Sequence, residues 1–228
     1  MTTMDDRVVV VTGATGDLGQ VVVRRFAGAG ARLALLARDE ESCIGLAMSL
    51  PGGTKRHRGI PVDLSDAVSA GAAADTVRER MGPASILLHL VGGYAGGTPF
   101  VDGDDEEFRH LLDLNLWSTI QAFRAFLPDI AAAENGRIVT VSTFVAAAPT
   151  PKHAAYAASK AAAEALTISV ARDLAGTTAT ANVVVLRSIG KDKPTDQRPE
   201  EIAAAMAWLC TPEAGTINGQ RIPLIGRS

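Results

Sequence analysis

Short β-branched runs alternate with Ala-rich helical stretches from one end of this chain to the other, and that alternation restricts the fold more than any other feature. The runs Arg7 to Thr12, Ala31 to Ala37, His57 to Val62, Ser85 to Val91, Gly136 to Ser142, Ala179 to Leu186 and Gln220 to Leu224 read as seven strands. Between them Leu18 to Ala29, Glu40 to Leu50, Ser65 to Met81, Asp104 to Ala133, Ala155 to Leu174 and Pro199 to Cys210 read as helices. This is the pattern of an α/β fold, a parallel sheet covered by helices on both faces. No repeat or long linker breaks the rhythm, so a single domain over residues 1–228 is expected, with one short exposed loop near 187–199.

Composition narrows the function. With 47% hydrophobic residues and 21% charged, the chain can bury a sizeable core, and its net charge of -3 gives no electrostatic reason to bind nucleic acid. The longest apolar runs fall well short of the ~20 residues that cross a bilayer, so no membrane association is expected. Met1 to Arg7 is polar and acidic, without the regions of a signal peptide. Cys43 and Cys210 lie far apart with no metal-type spacing. They read as reduced, packed thiols of a cytoplasmic protein, and no metal site is expected. Neither a Gly-x-Ser-x-Gly elbow, a His-Glu-x-x-His helix nor a Gly-x4-Gly-Lys loop occurs, which sets hydrolase and kinase readings aside.

The first strand runs into Thr12-Gly13-Ala14-Thr15-Gly16-Asp17-Leu18-Gly19 and a helix, the setting of a loop that cradles a pyrophosphate on free N–H groups. The second strand ends in Ala37-Arg38, where dinucleotide folds place an acid for a ribose hydroxyl or an arginine for a 2′-phosphate. Arg38 points to NADP, with NAD as the alternative. Asp63, followed by Leu64, either hydrogen-bonds an adenine or caps the helix beginning near Ser65.

Tyr156-Ala157-Ala158-Ser159-Lys160 sets a phenol and an ammonium one helical turn apart on one face. A free tyrosine titrates near pH 10, so proton exchange near neutrality calls for a nearby cation, and Lys160 is placed to be one. With the Gly-rich loop, Asp63, Asn115 and a strand ending in Ser142-Thr143, in that order, the chain resembles the short-chain dehydrogenase/reductase family over nearly its whole length. The resemblance implies a Rossmann fold, a doubly wound parallel sheet in the order 3-2-1-4-5-6-7, with the dinucleotide across the carboxyl ends of the strands. It implies that Tyr156 moves the proton, Lys160 binds the nicotinamide ribose and lowers the tyrosine pKa, and Asn115 supports a relay water. The cofactor would lie against Gly13, Thr15, Gly16, Asp17, Leu18 and Gly19, then Arg38, Asp63 and Leu64, and on the other side Gly92, Tyr156, Lys160 and Ile189. The partner would be a small carbonyl or alcohol, and the assembly a homo-tetramer or homo-dimer.

The departures are local. The family's hydroxyl, 13 residues before the tyrosine, falls on Thr143, with Ser142 next to it, and either can serve. Its Asn-Asn-Ala-Gly is here His89-Leu90-Val91-Gly92, and its Pro-Gly after the sixth strand is replaced by Leu186-Arg187-Ser188-Ile189. The shortened lid leaves selectivity to Tyr94, Phe144, Val145, His153 and Arg187. The Gly-Gly-Tyr-Ala-Gly-Gly stretch at 92–97 and the small lid also look like dihydropteridine reductase, which would make the substrate a quinonoid pterin. A reading of another class is a dinucleotide-binding regulator without turnover, against which stand Tyr156 and Lys160.

Overall fold

The computed structural model describes residues 4–190, 192–193 and 196–225. Part of the 187–199 loop and the first three residues of the acidic N-terminus therefore lie outside the described residues. The chain runs β1 (Val8–Thr12), α1 (Asp17–Gly28), β2 (Arg32–Ala37), α2 (Glu40–Ser49), a short α3 (Gly53–Arg56), β3 (Arg58–Pro61), α4 (Ala67–Met81) and β4 (Ile86–His89). It continues with α5 (Asp105–Leu112), a π turn (Asp113–Trp117), α6 (Ser118–Ala132), β5 (Arg137–Thr143), α7 (Ala154–Asp173), β6 (Thr180–Leu186), α8 (Pro199–Leu209) and β7 (Arg221–Leu224). The strands form one parallel sheet in the order β3-β2-β1-β4-β5-β6-β7, as the sequence pattern and the family resemblance imply.

Strand residues point alternately to the two faces, and both faces are apolar. Val9 and Val11 join Leu33, Leu35 and Leu88 against Val22 and Phe26 of α1 and Ile202 and Met206 of α8. Val8 and Val10 join Leu36, Leu87 and Ile138 against Val77 of α4, Phe123 and Phe126 of α6 and Val170 of α7. Among the described residues no helix is long and apolar enough to cross a membrane.

Two guanidinium groups tie the amino ends of the strands together. Arg137, fully buried, donates to the carbonyls of Gly136 (2.8 Å), Thr178 (3.0 Å) and Thr211 (3.0 Å). Arg7 donates to the carbonyls of Asn135 and of Cys210 (2.9 Å). Cys210 closes α8, so the cation also meets the negative end of that helix. Both edge strands carry a proline. Val62 N–H donates to Ala37, so the nitrogen of Pro61 faces away from the sheet. Gln220 accepts from Val183, which likewise turns Pro223 outward.

Most element ends shift by a residue or two and the short α3 was not expected, while three departures from the sequence pattern bear on the site. β4 stops at His89 rather than Val91, where the chain peels off through Gly92 and Gly93. The predicted helix 104–133 is interrupted by the π turn around Asn115. The third predicted helix starts at Ala67, because Asp66, accepting from the Val68 and Ser69 N–H groups, is its cap.

Candidate active site

The Gly-rich turn works through two glycines more than the third. Gly13 has φ +66°, and a Cβ there would sit 3.1 Å from the backbone of Leu90 and Val91. At Gly19 a Cβ would sit 2.2 Å from the Gly13 carbonyl oxygen, so only glycine lets α1 pack this close beneath the turn. Gly16 has an ordinary φ of -70° and room for a Cβ. It is the N-cap of α1, and no side chain caps the helix, so its first N–H groups are not committed to a side chain.

From this turn a cleft of about 510 Å³ runs along the carboxyl ends of the strands. Of the residues expected at a cofactor, Gly13, Thr15, Gly16, Arg38, Asp63, Leu64 and Gly92 line it. Leu18 and Gly19 are buried beneath the turn, Asp17 is exposed beside it, and Ile189 lies on the loop after β6, bridged to Gln197. His110 and Asp113, one turn apart at the end of α5, form wall that sequence reasoning missed. Their only signal was the three-residue spacing, which any helix surface shows.

Asp63 does not cap α4. Its Oδ1 instead accepts from the Ser65 hydroxyl (2.7 Å) and the Ser65 N–H (2.8 Å). The hydroxyl first, then the N–H and the charge of Arg38, hold the carboxyl below its usual range. Arg38 and Asp63 therefore stand together at one end of the cleft.

Tyr156 and Lys160 lie near the start of α7, as their spacing requires. The two titrate in unexpected directions. Burial pushes the Tyr156 phenol up, the neighbouring Thr143 hydroxyl partly offsets this, and Tyr94 adds to the rise. Lys160 is expected to lower that pKa, but the lowering here comes from Thr143. The Lys160 ammonium is buried and donates to the Val141 carbonyl at 3.2 Å. Burial brings it down to about 8, against the pull of Glu164 one turn further on. Gly92 closes over it, since a Cβ there would stand 2.7 Å from Lys160 Nζ and 2.9 Å from Asn115 Oδ1.

Strand alternation separates the two candidate hydroxyls. Thr143 reaches Tyr156, whereas Ser142 Oγ is buried with no hydrogen-bond partner among the described residues. Tyr94 meets Tyr156 edge-on, ring centroids 5.0 Å apart, and its hydroxyl is 3.0 Å from His153 Nε2. His153 Nδ1 is 2.8 Å from the Pro151 carbonyl. That carbonyl can only accept, so Nδ1 carries a proton.

Asn115 stitches the site together from the π turn. Its Oδ1 accepts from Gly93 N–H (2.9 Å), and its Nδ2 donates to the Gly93 carbonyl (3.1 Å) and to Ser159 Oγ (3.0 Å). Behind it His89 is fully enclosed: Nδ1 lies 2.9 Å from Thr12 Oγ1 and Nε2 lies 3.1 Å from Thr119 Oγ1. Thr119 gives its proton to the Asn115 carbonyl (2.7 Å), so it accepts from His89 Nε2–H, and Nδ1 accepts from Thr12. Burial first, then Lys160, holds this imidazole down to about 3.

A cleft that starts on a glycine turn and ends near a half-buried tyrosine and a buried lysine is the working surface of a dinucleotide-dependent dehydrogenase. Comparison with known proteins agrees. The short chain dehydrogenase family profile matches residues 7–200. The 2,3-dihydroxy-2,3-dihydro-p-cumate dehydrogenase of Pseudomonas putida is 29% identical over 250 residues, covering 99% of this chain and 95% of the relative. The D-threitol dehydrogenase of Mycolicibacterium smegmatis is 30% identical over 242 residues, covering 98% and 93%. The crystal structure of a glucose/ribitol dehydrogenase-type short-chain dehydrogenase/reductase from Brucella melitensis superposes with a TM-score of 0.89 at 29% identity, covering 98% of this chain and 97% of that one. The chain belongs to the short-chain dehydrogenase/reductase family. It is an oxidoreductase of the hydride-transferring kind that uses a nicotinamide dinucleotide.

Proposed function

We propose that this enzyme interconverts a small carbonyl compound and its alcohol with NADP(H), with Tyr156 as the proton-transferring residue. The observation that carries this reading is the Thr143 hydroxyl at the end of β5, near enough to the Tyr156 phenol to lower its pKa. A substrate oxygen seated between them would be oriented by Thr143 and would exchange its proton with the phenol oxygen of Tyr156. When bound, the dinucleotide supplies or takes the hydride.

The cleft suits such a cofactor. Gly13 and Gly16 leave the backbone open for a pyrophosphate, and Arg38, exposed at the far end, suits the 2′-phosphate of NADP. Lys160 and Asn115 act from behind: the ammonium faces the nicotinamide end, and the amide fixes the Gly92-Gly93 turn against α7. The Ser142 and Thr143 hydroxyls, which reductases of the pterin type lack, and Arg38 count against the pterin reading. We further propose that residues 1–228 form one dinucleotide-binding domain working in the cytoplasm as a homo-oligomer.

Fluorescence titration with NADPH and NADH, followed by turnover on a panel of ketones, aldehydes and a quinonoid pterin, tests this reading. Tyr156→Phe is expected to bind NADPH as wild type does while losing roughly 100-fold or more in turnover. Undiminished turnover would sink the mechanism, and tighter binding of NADH than NADPH would sink the role of Arg38.

A further inference from the structure

Arg187 stands beside the candidate hydroxyl of β5 with a cation that meets no acid among the described residues. It follows Leu186, the register partner of Thr143 on the neighbouring strand, and so stands at the carboxyl edge of the sheet where ligands of such folds bind. Its guanidinium lies 5.6 Å from the centre of the Phe144 ring, and Phe144 directly follows Thr143. Its backbone N–H donates to Gln197 Oε1 at 2.8 Å. Described residues beyond it bond to one another: Ser188 Oγ donates to Asp196 at 2.6 Å, and Gln197 N–H donates to the Ser188 carbonyl at 3.0 Å. Asp196, the acid closest in sequence among the described residues after Asp192, is thus engaged by Ser188 and by the Lys193 N–H. Among the described residues Arg187 has no ion pair and no side-chain hydrogen bond.

We infer that Arg187 anchors an anionic group on the substrate, so that the enzyme acts on carbonyl or alcohol compounds bearing a carboxylate. The inference rests on the reading of Tyr156 and Thr143 as the residues at the reacting oxygen. A guanidinium stacked on an aromatic face keeps its N–H edge free, and that edge matches a carboxylate with two parallel hydrogen bonds. Stacking and the pinned backbone also settle part of the entropy of ordering a long side chain before the ligand arrives. The glycine turn of the cofactor cleft is three strand positions away, roughly 14 Å along the sheet. The substrate end of the site is closer to this cation than the pyrophosphate cradle is.

The test uses matched pairs, 4-oxopentanoate and 4-formylbenzoate each beside its methyl ester, with wild type, Arg187→Gln and Arg187→Lys. Binding is read by ligand-observed NMR on the protein with NADP added, turnover by NADPH oxidation, and NADPH affinity by fluorescence. The expected result is an acid-over-ester preference of roughly 10- to 100-fold in wild type that falls to near one in Arg187→Gln and is partly kept in Arg187→Lys. A wild type that binds neither acid, or prefers neither form, overturns the inference. So does a preference that survives Arg187→Gln, or a loss of NADPH affinity in that variant with the acid-to-ester ratio intact. Failure of the underlying reading shows separately, as ester turnover that survives Tyr156→Phe.

Discussion

Burial holds the His89 imidazole neutral because its polar neighbours are hydroxyls whose own hydrogen bonds are already directed, with the Lys160 charge nearby as a further obstacle. In the unfolded chain the same ring takes a proton near pH 6.5, whereas in the folded protein it waits until about pH 3. Below pH 6.5 the unfolded state binds more protons, so stability is complete above that pH and is lost as pH falls towards 3. The loss amounts to at most about 1.4 kcal/mol per pH unit. His57, also buried and lowered, acts in the same sense. Urea midpoints at pH 7, 6 and 5, above the range of most carboxylates, should fall for wild type and fall less steeply for His89→Asn; parallel slopes would contradict the assignment. The glycine turn offers a second single-residue test. Gly19→Ala should lower the unfolding free energy by about 1–3 kcal/mol through overpacking, whereas Gly16→Ala should cost less than about 1 kcal/mol. Equal thermal shifts for the two variants would refute the geometry.

At the scale of elements, α7 carries Lys160 inward and places Glu164 one turn later, still on the buried side. The folded protein releases the Lys160 proton near pH 8, where the unfolded chain would keep it to about 10.5. Between those values stability rises with pH while the cation beneath Gly92 is lost. NADPH affinity, followed by fluorescence, should therefore weaken through pH 8 in wild type, and Lys160→Met should bind weakly with no such limb. A wild-type affinity flat from pH 7 to 9 would disprove the shift. The elements themselves were legible in the sequence to within a few residues, because apolar runs and Ala-rich stretches alternate clearly. The π turn was not, since it is a change of backbone hydrogen bonding that leaves no mark in side-chain periodicity. The site was legible in part: helical spacing alone put Tyr156 beside Lys160. That Thr143 rather than Ser142 neighbours Tyr156 depends on which face of β5 each occupies, and the edge-on contact of Tyr94 with Tyr156 joins a loop to a helix distant in sequence.

For the molecule as a whole, the two ends of the sheet do different work. The carboxyl end holds the cleft and the tyrosine, and the amino end holds Arg7 and Arg137 against backbone carbonyls. Neither arginine was singled out from sequence, as one basic residue at the start of a strand looks like any solvated charge. Arg137→Met should cost about 2–4 kcal/mol by leaving three buried carbonyls without that donor, while NADPH affinity stays unchanged because the cofactor cleft is at the other end. A variant as stable as wild type in urea would show that the ties are dispensable.

The outward-facing prolines have a consequence for the chain in a crowded solution. An open parallel sheet always has two unfinished borders, and each is a template on which another chain's backbone can lay itself down. Pro61 and Pro223 each remove a hydrogen from the row that such an intruder would need to read. Arg58, at the start of β3, adds charge that an added strand would have to cover. Growth of the sheet beyond seven strands is thereby discouraged on both sides by residues that take no part in the chemistry.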